Sequence, residues 1–248
     1  RDTDRSRGLG DVYKRQGPKV APVLSDITLT IPQNKVTAIV GASGSGKTTL
    51  LKLLLGNYIP DSGRIRIGQT ALNHINPHFW RSVCGVVMQD GYLFSESVVE
   101  NIAVCDEKAD REKLYDAAVT ANIHEFIEEL PSGYNTMIGQ EGSGISQGQK
   151  QRILIARAVY KNPDFLFFDE ATNSLDANNE AVIMKNLERF FHGRTVVVVA
   201  HRLSTVQNAD QIVVLDHGKI VETGNHQQLI RKKGFYYTLV KNQLNLEG

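Results

Sequence analysis

Short, almost wholly apolar runs alternate along this chain with longer stretches that carry apolar residues at helical spacing. Val36–Val40, Val83–Met88, Phe165–Phe168, Val196–Val199 and Ile212–Leu215 are the apolar runs. Their length and Val/Ile/Phe content predict strands buried on both faces. Between them, Thr48–Leu55, Gln147–Tyr160 (Ile153, Ile155, Ala156, Val159) and Asn179–Phe191 predict helices. A longer helical region from about Ser97 to Leu130 places Leu114, Ala117, Ala118 and Ala121 on one side and breaks at Pro131-Ser132-Gly133. Near the start, Leu24, Ile27, Leu29 and Ile31 alternate with polar residues except at one step, which predicts a half-buried strand ending at Pro32. Asp61-Ser62-Gly63 predicts a turn into a strand over Arg64–Ile67. Strands alternating with helices predict an α/β fold with a mainly parallel sheet. The helix-only stretch at about 90–160 predicts an inserted helical subdomain.

Composition narrows the function. The chain has 248 residues, 41% of them hydrophobic, with 28 Lys+Arg against 27 Asp+Glu. That length supports a large packed core. A formal net charge of +1 leaves no footprint for nucleic acid or an anionic membrane surface. Two cysteines, Cys84 and Cys105, are too few for a disulfide framework and point to a reducing cytosolic setting. No apolar run approaches the roughly 20 residues of a membrane helix. Arg1–Gln16 has five basic and three acidic residues and few large apolar ones. It has no apolar stretch that could serve as a secretory signal, and it predicts a disordered or foreign segment ahead of a domain starting near Gly17.

Gly41-Ala42-Ser43-Gly44-Ser45-Gly46-Lys47-Thr48 fits G-x-x-x-x-G-K-[ST] between a predicted strand and a predicted helix. Glycines let successive backbone N–H groups turn inward as an anion nest, and the helix adds its positive end. Lys47 supplies a charge for the β and γ phosphates, and the Thr48 hydroxyl can ligate Mg2+. This is a nucleotide site. Downstream, the strand Phe165–Phe168 runs into Asp169 and Glu170. Ligands gather at the carboxyl ends of strands in such sheets, so these acids belong beside the phosphate loop. Asp169 suits Mg2+, and Glu170 suits the general base for water.

Three further segments complete a set: Gln89 in VVMQDGYLF, Ile145-Ser146-Gln147-Gly148-Gln149 ahead of KQRILIARA, and His201 after Val196–Val199. With GASGSGKTT and FLFFDEATNSLDA, in this order, the chain resembles the nucleotide-binding domain of ABC transporters over about Gly17–Leu246. The resemblance implies the ABC ATPase fold. In that fold a P-loop NTPase core with a mainly parallel sheet carries an antiparallel β subdomain and an inserted helical subdomain. It implies that Gly41, Ser43, Gly44, Ser45, Gly46, Lys47, Thr48 and Thr49 hold the phosphates of ATP. Glu170 is then the catalytic base, Gln89 touches Mg2+ with Thr48 and Asp169, and His201 contacts the γ-phosphate. Ser146, Gly148 and Gln149 face the nucleotide of a second ATPase domain, and Asp176 in Ser174-Leu175-Asp176 crosses to the same partner. Further partners implied are a transmembrane domain and, from ISQGQKQRILIARAVYKNP, CGVVMQDGYLF and LVKNQLNLEG, a cysteine-peptidase domain of exporters that secrete leader-bearing peptides. Such a domain works at the cytoplasmic face of the cell membrane.

The chain departs from the family pattern in three places. Gln147 stands where the first signature glycine normally lies. Gln140 and Glu141 precede Gly142, with the acid one place later than usual. No strand ending in an adenine-stacking aromatic precedes Val23, where Tyr13 is the one candidate. A non-transport ABC ATPase acting on DNA or ribosomes would carry a long coiled-coil insertion or a second ATPase domain, and a purely regulatory ATP-binding module would not need Glu170 and His201.

Overall fold

The computed structural model describes residues 22–104, 106–139, 144–171, 175–200 and 206–246. Expectations that fall on Arg1–Gln16, Tyr13, Cys105, Gln140–Gly142, Ser174 and His201 lie outside the described residues.

The strands are β1 (Val36–Val40), β2 (Arg66–Ile67), β3 (Thr70–Ala71), β4 (Cys84–Val87), β5 (Phe165–Asp169), β6 (Thr195–Val199), β7 (Gln211–Asp216) and β8 (Lys219–Gly224). The helices are α1 (Lys47–Leu54), α2 (Pro77–Val83), α3 (Val98–Ile102), α4 (Arg111–Thr120), α5 (His124–Glu128), α6 (Gln147–Tyr160), α7 (Ala177–Phe191), α8 (His226–Lys232) and α9 (Phe235–Leu246). Six strands form one sheet in the order β4-β5-β6-β1-β7-β8. All neighbours are parallel except β7 and β8. Among the described residues, β2 and β3 form a separate antiparallel pair, two residues each.

Alternate residues of each central strand enter two different cores, as the period of a strand requires. Ala38, Val40, Leu166, Phe168, Val196 and Val198 face one side, packed with residues of α3 to α7. Ile39, Phe167, Val197, Val199 and Leu215 face the other, against Leu50 and Leu51 of α1 and Trp80 of α2. The Trp80 ring lies 4.9 Å from that of Phe165, and its Nε1 donates to Leu54 O at 3.2 Å. Covering both faces explains why these strands read as unbroken apolar runs.

Two expectations need correction, and four elements were not anticipated. Leu24, Ile27, Leu29 and Ile31 do turn inward onto the second core, with Thr28 and Thr30 outward. The segment nevertheless forms no ladder, because no described strand lies beside it; its period is right and its partner is missing. The helical region 97–130 is three helices, since each has its own start. Ser97 and Glu100 close a capping box on α3, and Asp110 caps α4. Between α4 and α5, Asn122 takes a positive φ of 52°. Finally, α2, β8, α8 and α9 carry no expectation from the sequence reading. The Lys219–Gly224 strand is half-exposed, so it lacks the continuous apolar run that marks its neighbours.

Candidate active site

β1 ends at Val40, and Gly41 begins the turn into α1. A Cβ on Gly41 would stand 2.1 Å from the Leu215 carbonyl oxygen of β7 and 2.7 Å from Ser45 Oγ, at φ 153°. Only glycine fits between two adjacent strands there. Gly46, at φ 104° and ψ 8°, leads into α1 with no side-chain cap, so the first N–H groups of the helix are left for a ligand. Lys47 folds back over the loop and its Nζ donates to Gly41 O and Ala42 O, each at 2.9 Å. Burial lowers its pKa from 10.5, opposed by the charges of Glu170 and Asp169. Lysine and acids therefore sense one another across the site.

Asp169 closes β5 in register with Val199 of β6, and Val199 pairs in turn with Ile39 of β1. One strand thus separates the acid from the phosphate loop. Asp169 is 2% exposed, and its Oδ1 has no hydrogen-bond partner. Burial raises its pKa above 3.8, opposed by a hydrogen bond from the Thr48 hydroxyl and by the charges of Lys52 and Lys47. A buried carboxylate oxygen left without a partner next to a threonine hydroxyl is a fitting half-shell for a hard cation, whose other ligands come from phosphate and water.

Glu170 follows at φ 52°, a left-handed backbone uncommon for glutamate, with its N–H donating to Val199 O at 3.1 Å. Gln89 is exposed in the turn after β4. Val87 is paired with Phe168, so Gln89, two residues on, stands level with Glu170 along the same sheet end. Gly41–Thr48, Asp169, Glu170 and Gln89 therefore share one sheet edge. Arg157 of α6 shapes the loop after Gln89 by donating to Asn101 O at 2.7 Å, Asn101 Oδ1 at 3.0 Å and Tyr92 O at 2.9 Å. The fully buried Asn101 also accepts from Phe94 N at 2.9 Å.

Ser146 and Gln149 head α6 as a reciprocal capping box. Ser146 Oγ accepts from Gln149 N at 3.2 Å, and Gln149 Oε1 accepts from Ser146 N at 2.7 Å. Accepting that bond leaves the serine O–H available as a donor. Gln147 and Ser146 are exposed and Gly148 is half-buried. Asp176 caps α7, accepting from Asn179 N at 2.9 Å. These capping bonds stay within the starts of α6 and α7 and do not involve the phosphate loop.

Sequence reading missed several supports of the site. Lys52 lies one helical turn beyond Thr48, so the i, i+4 spacing already placed both on one face. Leu24, Val23 and Gly218 pack on the loop: Ser25 N donates to Gly218 O at 2.9 Å, and Gly218 N donates to Ser45 O at 3.2 Å. Nothing local in the sequence signals those contacts.

A parallel sheet whose central strand feeds a glycine loop and an uncapped helix, with a desolvated acid one strand away, defines a P-loop nucleotide-binding domain. Residues 24–173 match the family model described as ABC transporter, and the chain belongs to that family. It is similar to the exotoxin translocation ATP-binding protein PaxB of Pasteurella aerogenes, at 49% identity, covering 93% of this chain and 32% of that protein. It is similar also to the toxin RTX-III translocation ATP-binding protein of Actinobacillus pleuropneumoniae, at 47% identity, covering 93% of this chain and 33% of that protein. A solved structure of a bacterial Atm1-family ABC exporter with ATP bound superposes with a TM-score of 0.85 at 39% identity, covering 89% of this chain and 39% of that one. The chain spans about a third of the length of these curated relatives. No helix among the described residues is long and apolar enough to cross a membrane.

Proposed function

We propose that this chain hydrolyses Mg-ATP to power export of a polypeptide by a larger transporter. The observation that carries the reading is the buried Asp169 with an unpartnered Oδ1, set beside Thr48 and Lys47 at one sheet edge.

In this reading, the loop N–H groups from Gly41 to Thr49 and the start of α1 bind the phosphates of ATP. Lys47 exchanges the carbonyls of Gly41 and Ala42 for β and γ oxygens. Thr48 and Asp169 would hold Mg2+, with Gln89 close by, and the ion would supply neutralising charge at those oxygens. Glu170 accepts a proton from water as its oxygen bonds to the γ phosphorus. The bond from that phosphorus to the bridging oxygen breaks, leaving ADP and inorganic phosphate. His201 steadies the γ-phosphate, by the resemblance. Ser146, Gly148, Gln149 and Asp176 complete the site of a second copy, so two ATP molecules lie in a head-to-tail dimer.

The partners are a second ATPase domain and a transmembrane domain at the cytoplasmic face of the membrane, with a cysteine-peptidase domain where the cargo bears a leader. Nucleic acid is not a partner. The relatives' names speak of toxin translocation, whereas the resemblance of ISQGQKQRILIARAVYKNP points to leader-bearing peptides; a polypeptide cargo is common to both. Residues 17–248 act as one ATPase domain with helices of about 90–160 as its inserted part, and Arg1–Gln16 stays outside it.

Phosphate release from ATP, with and without Mg2+, tests the reading. Glu170→Gln should keep nucleotide binding and lower turnover by roughly 10²–10⁴-fold, the usual worth of a positioned base. Turnover within a few-fold of the parent chain would remove Glu170 from the role.

A further inference from the structure

Three side chains form a hydrogen-bonded chain at the start of α7, and Arg152 of α6 joins it through the backbone carbonyl of Asn122. Asn122 Nδ2 donates to Asn179 Oδ1 at 2.9 Å, and Asn179 Nδ2 donates to Asp176 Oδ2 at 2.6 Å. On the other side, Arg152 Nη1 donates to Asn122 O at 2.6 Å. Asn122 closes α4 in a left-handed conformation at φ 52°. Its N–H donates to Val119 O at 3.0 Å, and Ile123 N donates to Ala118 O at 2.9 Å, the double bond pattern of a Schellman end. Asn186, two turns along α7 from Asn179, donates to Val119 O and Thr120 O, each at 3.3 Å. The last carbonyls of α4 are therefore satisfied from α7, and the Asn122 carbonyl from α6.

We infer that Asn122 is a positioning residue that ties the segment headed by Asp176 to the helix headed by Ser146, so that both partner-facing edges hold one geometry. The inference rests on the composite-site reading of the proposed function. Arg152 lies under two turns into α6 from Ser146, and Asp176 is the cap of α7, so the chain links the two segments that reading sends to the second copy's nucleotide. Asparagine suits the place for two reasons. It tolerates the left-handed backbone, and its side-chain amide donates to Asn179. A glycine here keeps the helix end and the bond from Arg152 to the backbone carbonyl, and loses the bond to Asn179 that completes the tie.

The test compares Asn122→Gly, Asn179→Ala and the double variant in the 248-residue chain. Glycine holds φ 52° without strain, so the melting temperature of Asn122→Gly should fall by only about 2–4 °C, the worth of one hydrogen bond, and ATP binding by the monomer should not change. Turnover at saturating ATP should fall about three- to tenfold, the worth of one neutral hydrogen bond, with KM for ATP unaltered. The double variant should fall no further than Asn179→Ala alone, because Asn122→Gly then has no side-chain bond left to remove. Ser146→Arg is run alongside. If Ser146→Arg abolishes turnover while Asn122→Gly leaves it unchanged, or if the two Asn variants multiply, the positioning role is wrong. If Ser146→Arg itself remains fully active, the composite site fails first. A large drop in melting temperature for Asn122→Gly would also overturn the inference, by making the contact a matter of stability.

Discussion

Gly46→Ala is the sharpest probe of how the phosphate loop is built. Gly46 sits at φ 104° and ψ 8°, and a methyl there would stand 2.6 Å from Leu24 Cδ2 and 3.4 Å from the Val23 carbonyl oxygen. Two costs add. Holding an L-residue in this backbone region costs about 1–2 kcal/mol. The overlap with Leu24, roughly 1 Å inside normal contact distance, costs about 1 kcal/mol, since a half-buried leucine methyl can move aside. A loss of about 2–3 kcal/mol follows, within the total stability of an ordinary domain, so the variant folds. Urea melts read the loss, and a nucleotide-induced rise in melting temperature reads the site. That rise should vanish, because the distorted turn no longer aims its N–H groups at one phosphate. Adding Leu24→Ala removes the overlap and not the backbone strain. In the Gly46→Ala background Leu24→Ala should therefore cost about 1 kcal/mol less than in the parent. Additive single effects, or a Gly46→Ala chain of parental stability and nucleotide response, would refute this account of the loop.

Other expectations follow from neighbouring residues. Burial holds the Asp169 carboxyl above its ordinary 3.8, so the folded chain binds that proton more tightly than the unfolded one. The resulting stability is fully present below pH 3.8 and is lost as pH rises through the folded value. Asp169→Asn should thus raise the melting temperature of the nucleotide-free chain at pH 7, with the gain shrinking as pH falls toward 3.8; a gain independent of pH would contradict the cause. Arg157→Lys keeps the charge but not the fork that holds Asn101 and Tyr92, and should destabilise by about 1–3 kcal/mol and loosen the loop after Gln89. Amide hydrogen exchange at residues 92–97 checks it, and unchanged protection there would count against the role of Arg157.

Much of the architecture was legible because it is local. A strand, a glycine turn and a helix are contiguous from Val36 to Leu54, and Asp169 follows directly on an apolar run. The helix Gln147–Tyr160 was legible for the same reason, with a serine cap at one end and regular spacing within. What escaped depends on distant chain. Leu24 to Ile31 alternates correctly yet forms no ladder, since pairing needs a neighbour that periodicity cannot name. The Leu215 carbonyl forces glycine at position 41 from 174 residues away. The tie from Asn122 to Asn179 spans 57 residues, and one asparagine in a loop carries no signal of its own. Ser146 reads from the sequence both as a nucleotide contact and as the cap of the following helix; the structure adds that Gln149 caps it in return.

The most direct measurement of the central claim, a site shared between two copies, is a mixing experiment. Lys47→Ala removes the charge at the phosphate loop, and Ser146→Arg places bulk and positive charge at the exposed start of α6. Each chain alone should be inactive, since in either homodimer both sites carry one lesion. Mixed, the heterodimer holds one site with both lesions and one with neither. The account predicts that phosphate release returns on mixing to a substantial fraction of the parent rate. Full activity of Ser146→Arg alone, or no return of activity when heterodimers are shown to form, would contradict it.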